Sequence, residues 1–507
     1  MADNAMKSSI PAILLLGVIG GIETAAPNIS SSALVSVSRD LHMSTAELAL
    51  AASAQTILIA ATVITTGMLA DRLGRRLVLS IGLLVGAAGS AVCAFAPSPA
   101  VYVAGQAIIG VGLGAAYGSA FAYLRAVAPP GRLALSLGLC SATIAFTTVS
   151  LTFLGSILIA SSWRLGLAST AAASIAAVLT VRWLLPRQPR VPGVGLDLPG
   201  QALLGCGVAG FLVGVSQLGR SLTAPSSLVP LLAGALLLTA FGIREARSAT
   251  PFFPIRLFAS PSLVAATLAF FVYYFATAVV FLQTTNLWQY VTRIPMHELA
   301  LWQLPLIATG VVSPILVGRL LDRGVSSATA LLAGMLVTAA GLALLARASQ
   351  ATSFTAFLPG TVLVGAGVFG AMTPACRIVL REAPKAQYGP VTSSPTTIGQ
   401  FWYSIGLALS TILLDRMTVG GVTDKLLAAG VQPDLVGTAV TAINQYVSAG
   451  TPPSTALARQ ALADASATYA SAFSTVMLIT AGLVLAAGGI GVVLLRRAGA
   501  GVNAGTS

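Results

Sequence analysis

The sequence predicts an all-α integral membrane protein of about 14 transmembrane helices, arranged as 6+2+6. Three observations carry this. Of the 507 residues, 56% are hydrophobic and only 8% charged, whereas a soluble chain carries roughly 25% charged residues. Apolar runs long enough to cross a bilayer follow one another along the chain, split by short polar links. Two sequence signals from the first part of the chain recur in the second at nearly one offset.

The runs fall at about 9–36, 46–69, 77–97, 100–124, 133–159, 164–185, 198–218, 226–245, 262–290, 300–319, 326–346, 353–376, 390–414 and 470–495. Backbone polar groups in hydrocarbon need internal partners, so each run is expected to be helical. An even number places both termini on one side. With the N-terminus in the cytoplasm, the inner segments hold most of the 27 basic residues. Arg72, Arg75 and Arg76 fall between spans 2 and 3, Arg182 at the inner end of span 6 with Arg187 and Arg190 after it, and Arg377, Arg381 and Lys385 between spans 12 and 13. Each short outer loop holds at most one. This is the positive-inside pattern. It explains the net charge of +13 as topology and removes nucleic acid as a partner.

The first run is long, lacks a cleavage site and leads into many more, so it is read as a span and not a signal peptide. Cys93, Cys140, Cys206 and Cys376 lie in or at the ends of apolar runs without paired spacing. They predict neither a disulfide framework nor a metal site. His42 and His297 form no motif.

The repeat divides the chain. Gly67-Met-Leu-Ala-Asp71-Arg72-Leu-Gly74-Arg75-Arg76 follows span 2, and Gly318-Arg-Leu-Leu-Asp322-Arg323-Gly324 follows span 10. Gly105-x4-Gly110-x-Gly112 in span 4 is echoed by Gly360-x4-Gly365-x-Gly367 in span 12. The expected organisation is a six-helix bundle over 1–190, an inserted helix pair over 191–250 and a second six-helix bundle over 251–507. The last includes a long outer loop, 415–469, expected to hold one or two short helices. Two parallel six-helix repeats suit alternating access about a site near the midplane.

Asp71 is expected to latch the bundles, either by capping a neighbouring helix N-terminus or by pairing with an arginine. A topogenic basic turn is the competing reading, but it has no use for an aspartate. Gly67 and Gly74 permit close approach and a tight turn. Arg72, Arg75 and Arg76 are also placed to meet anionic headgroups. Glu23 is the single acid deep in a span. A carboxylate there is costly and marks an ion or substrate path, and a form that binds a proton suits a proton carrier. Pro27 removes a backbone hydrogen bond one turn later, and Asn28, Ser30, Ser31 and Ser32 make the outer half of span 1 polar. Structural burial of Glu23 against a neighbouring helix is the alternative.

Candidate residues for a substrate cavity are Asn28, Gln55, Gln106, Tyr274, Gln283, Asn286, Trp288, Gln400, Trp402 and Tyr403, a mixture of aromatic and neutral hydrogen-bonding groups that suits an amphiphile. An interfacial aromatic belt is an equal reading for Trp288 and Tyr290. The Gly110-x3-Gly114-x3-Gly118 series reads as helix packing. No nucleotide-binding loop and no catalytic constellation is present, so neither a cofactor nor an enzymatic activity is expected.

The 67–76 loop resembles the signature loop of the major facilitator superfamily, and 14 spans resemble its drug:proton antiporter subfamily. Ser162-Trp163-Arg164, Leu196-Asp197-Leu-Pro-Gly200 and Pro251-Phe-Phe-Pro-Ile-Arg-Leu-Phe258 agree with it. The resemblance implies secondary active export of amphiphilic compounds from a cell membrane; the two-bundle repeat itself can work as a monomer among membrane lipids. Gln106 stands where that family usually has an arginine. Span 5 reads Ser150-Leu-Thr-Phe-Leu-Gly155 in place of G-P-x-x-G-G, and Glu23-Thr24 loosely matches the family's span 1 acid. These departures favour, as alternatives, an uncoupled transporter or a lipid or metabolite transporter. A non-transporting sensor or scaffold is a further alternative, against which the complete 67–76 loop argues.

Overall fold

The computed structural model describes residues 2–188, 197–218, 222–248, 251, 253–292, 294, 296–384, 388–432, 435–438 and 456–504. The regular structure among them is helical: α1 (Ala2–Asp40), α2 (Thr45–Leu73), α3 (Arg75–Ala94), α4 (Pro99–Val127), α5 (Leu133–Ser161), α6 (Trp163–Leu184), α7 (Leu198–Leu218), α8 (Pro225–Arg247), α9 (Pro261–Tyr290), α10 (Met296–Asp322), α11 (Ser327–Arg347), α12 (Phe354–Glu382), α13 (Tyr388–Ala428) and α14 (Ala456–Ala504). All 14 are long and apolar enough to cross a membrane.

Local chemistry sets the ends. Ser44 and Glu47 form a reciprocal capping box at the start of α2, satisfying donors that the first turn leaves free. Pro99, Pro225 and Pro261 open α4, α8 and α9, where a missing N–H costs nothing. Gly74, at φ 107°, separates α2 from α3 in a conformation that a side chain would strain.

The helices pack as two sets related by the sequence repeat. In the first, α4 lies on α2 and α3, and α1 on α5; in the second, α12 lies on α10 and α11, and α9 on α13. The glycine echo is geometric. Gly110 presses on Gln55 and Leu58 of α2, as Gly365 presses on Leu306 and Thr309 of α10. Gly112 meets Gly82 and Gly86 of α3, as Gly367 meets Gly334 and Thr338 of α11. Between the sets, α5 packs on α10, and its counterpart α13 packs on α2.

The pair α7–α8 lies along the second of these seams, with α7 against both α2 and α13 and Phe211 against Phe401 at 5.0 Å between ring centroids. Residues from the motif stretches before α7 and before α9 meet at its foot. Asp197 pairs with Arg244 at 2.7 Å and accepts the Gly200 N–H at 3.1 Å. Buried Glu245 accepts the Phe253 N–H at 3.1 Å.

Segment 415–469, expected to hold one or two short helices, is instead helical at both described ends as continuations of the flanking spans. α13 runs on to Ala428 and α14 begins at Ala456. No proline falls in either helical end, and Val422, Leu426, Val436, Ala461 and Ala465 form a small apolar core of their own. Pro452 and Pro453 lie outside the described residues, as do Arg190, Arg220, Arg293 and Lys385.

Candidate functional site: a latched seam and a buried acid

The 67–76 loop sits at the end of α2, on the face where α4 ends and α5 and α13 begin. Asp71 is buried and does both things expected of it. Its Oδ1 accepts Arg75 Nη2 at 2.8 Å and Nε at 3.1 Å. Its Oδ2 accepts the N–H of Gly389, the second residue of α13, where unpaired amides and the helix dipole favour an anion. Arg75 also donates to the Ala122 carbonyl at 3.3 Å, and its guanidinium lies 4.9 Å from the Tyr388 ring centroid, within cation–π range.

Close backbone approach makes this contact possible. A Cβ on Gly67 would fall 2.8 Å from the Gly389 carbonyl oxygen, and one on Gly389 would overlap the Gly67 carbonyl. Beyond the latch, Ser393 donates to the Gly118 carbonyl at 3.4 Å and Thr397 to the Ala60 carbonyl at 2.8 Å. On the other seam Asp322 accepts the N–H groups of Leu135 at 2.9 Å and Ala134 at 3.3 Å, at the start of α5. Gly318 stands against the Ala134 carbonyl. Arg125 donates to the Leu380 carbonyl at 2.6 Å. The two sets are thus held together on the latch face by paired, symmetry-related contacts. Arg72 and Arg323 are exposed there.

Glu23 is buried in the middle of α1. Its Oε2 accepts the Thr24 hydroxyl at 3.3 Å, which also donates to the Gly20 carbonyl at 2.7 Å. Tyr117 of α4 and Tyr273 and Tyr274 of α9 lie near enough to interact with it electrostatically. Both helix sets therefore meet around this acid. From Glu23 outward, Thr24, Asn28, Ser31, Ser32 and Ser36 form an exposed polar stripe on α1.

The cavity candidates do not share one wall. Tyr274 lies near Glu23, with its ring against Gly399, and Gln400, Trp402 and Tyr403 are half-buried on α13. Trp402 contacts Phe271 edge-on at 4.8 Å. Gln55 and Gln106, expected beside open space, are buried inside the first set. Gln106 donates to Ser30 at 3.1 Å, and Ser30 to Gln55 at 3.3 Å. Gly110 draws α4 onto the Gln55 backbone and closes the space around them. Gln283 donates to Ser410 at 2.9 Å and accepts from Tyr469 at 3.2 Å and from Asn286 at 3.4 Å. Trp288 is fully buried between Trp302 and Phe357, in neither an interfacial belt nor a cavity wall. The Tyr290 side chain is outside the described residues.

Sequence reading missed Tyr117, Tyr388, Gly389 and Ser393. Gly389 had a signal: Asp322 and Asp71 are repeat mates, so their partners are the first turns of α5 and α13. Trp163 and Arg164 at the far face were legible as a motif, but not their partner. Asp40 accepts Trp163 Nε1 at 3.0 Å and lies 3.4 Å from Arg164.

The Major Facilitator Superfamily model matches residues 13–410. The chain belongs to that family of transporters. Among curated proteins, this superfamily member is 28% identical over 409 residues to the puromycin resistance protein pur8 of Streptomyces alboniger, covering 79% of this chain and 80% of that one. It is 29% identical to the cephamycin export protein CmcT of Amycolatopsis lactamdurans, over 80% and 85% of the two chains. Its fold resembles that of the proton:xylose symporter XylE, with a TM-score of 0.60 at 14% identity and 95% of each chain covered. The superfamily assignment makes this a multi-pass membrane protein.

Proposed function

We propose that this protein exports amphiphilic small molecules across the plasma membrane by alternating access, with proton binding at Glu23 as the driving step. Its working units are the bundles 1–190 and 251–507, with 191–250 an accessory pair, and the termini and the latch face the cytoplasm. The observation that carries the reading is the Asp71–Gly389 contact. A capped helix start supplied by the opposite bundle is made only while the cytoplasmic side is closed, so it belongs to one of two states. Relatives that confer puromycin resistance or export cephamycin support an exporter of organic compounds. In this closed state the polar stripe on α1 leads from Glu23 to the outside, the direction of release. Single copies contain both bundles and the acid, so the monomer suffices.

A second reading, an uncoupled transporter of the same fold, draws on the neutral Ser30–Gln55–Gln106 network, which fills the position where the family resemblance leads one to expect an arginine. Purified protein in liposomes, challenged with a panel of amphiphilic compounds under an imposed proton gradient, separates the two. Substrate-dependent proton movement supports antiport; substrate movement with no accompanying proton flux supports the uncoupled reading and rules out the first.

A further inference from the structure

We propose that the cleft between the latch-face ends of α3 and α6 is a binding site for the headgroup of an anionic phospholipid. The proposal takes from the preceding section only which leaflet is involved. Arg75 and Arg76 are adjacent on α3, so their side chains leave the helix about 100° apart. Arg75 is held by the latch. Arg76 turns the other way and donates to the backbone carbonyl of Arg182, in the last turn of α6, at 3.0 Å.

Arg76, Ser80, Val178, Leu179, Arg182 and Trp183 line a cleft of about 460 Å³. Two guanidinium groups and a hydroxyl face it with no carboxylate in the lining. Among the described residues neither arginine pairs with an acid, whereas Arg75 and Arg244 both do. The Arg182 side chain makes no described hydrogen bond. Cations gathered without an anion at the level of a membrane surface call for an anionic ligand.

The apolar rim distinguishes a lipid from a free anion. Leu77, Ile81 and Leu84 lie on one face of α3 at helical spacing, and Leu179 and Ile175 on α6. All are exposed, and both rows run from the arginines toward the membrane interior. Trp183 is 83% exposed beside the arginines, at the headgroup level that indole rings favour. Charge at one end and parallel apolar walls above it match a phospholipid with its acyl chains along the α3–α6 surface.

The test uses delipidated full-length protein titrated in detergent with phosphatidylglycerol or phosphatidylcholine of identical chains, with bound lipid counted by native mass spectrometry. Wild type should prefer phosphatidylglycerol. Each arginine near a membrane surface is worth about 1 kcal/mol, so Arg182→Gln should weaken phosphatidylglycerol binding about fivefold and Arg76→Gln/Arg182→Gln about 30-fold, with phosphatidylcholine unaffected. Arg76→Lys/Arg182→Lys should keep the preference. Because the Arg182 side chain has no described partner, the single variant remains informative if the double variant misfolds. Equal binding of the two lipids by wild type, or undiminished phosphatidylglycerol binding in Arg182→Gln, overturns the site. Displacement of phosphatidylglycerol by millimolar inorganic phosphate overturns the lipid assignment in favour of a free anion. None of these readings involves transport, so they stand apart from the proposed export activity.

Discussion

The carboxylate of Asp71 accepts the backbone N–H of Gly389, joining the last turn of α2 to the first turn of α13 across the seam between the two helix sets. A side chain from one half caps a helix of the other, and the repeat mate of Asp71 does the same: Asp322 caps α5. One device, duplicated with the fold, closes both seams on one face.

Asp71→Asn should loosen that closure. It removes a charge-assisted hydrogen bond worth about 1.5–3 kcal/mol and releases Arg75, which shifts a two-state equilibrium by about tenfold or more. Ser393 lies directly behind the latch, against Gly67. In a background without the four native cysteines, a cysteine at position 393 should react with a maleimide applied from the latch face about tenfold faster in the Asp71→Asn variant. Equal rates would show that the contact does not hold the seam.

Gln106→Leu should destabilise the first helix set without opening the latch. It removes the donor to Ser30, one buried hydrogen bond worth about 0.5–1.5 kcal/mol. The thermal midpoint of the purified protein should fall while the labelling at position 393 stays at its wild-type rate. Gln106→Arg should be worse, since no carboxylate is described as a partner in the Ser30–Gln55 network. An unchanged midpoint in both variants would remove the network's structural role.

Asp197→Asn tests the anchoring of the α7–α8 pair. Hydrogen bonds from Arg244 hold the Asp197 carboxyl below its ordinary value of 3.8. A depressed carboxyl stabilises the folded state above its ordinary value, and the contribution is lost as pH falls through the lowered one. Wild type should therefore be more heat-stable than Asp197→Asn at neutral pH, and the gap should close below pH 3.8. A gap that persists there would assign the effect to packing and not to charge.

The helices and their order were legible because hydrocarbon leaves few choices: long apolar runs, basic inner loops and a repeat all constrain the same count. The contacts of Asp71 and Asp322 across the seams were legible because the two residues recur in register and have no topological use. The surroundings of the cavity candidates were legible only in part. Polar residues in a span announce that something satisfies them, but not what. Gln106 donates to Ser30, and Gln283 is held by Ser410 and Tyr469, contacts between residues far apart in sequence. Trp288 in its aromatic cluster and Tyr117 beside Glu23 depend on how each helix is rotated about its axis. A helix that is apolar all round has no polar stripe to fix that rotation. The extension of the flanking spans into 415–469 was hidden because the segment is polar enough to resemble an outer loop, while its apolar positions pair across helices.

The central claim is that Glu23 carries the coupling proton, and its most direct measurement is transport by the Glu23→Gln variant in liposomes of controlled internal pH. The substitution keeps the size of the side chain and its place near Tyr117, Tyr273 and Tyr274, while removing the titrating group. Substrate-dependent proton flux and gradient-driven accumulation should disappear, with the thermal midpoint close to that of wild type. Driven transport at the wild-type rate in this variant would contradict the claim and return Glu23 to a structural role.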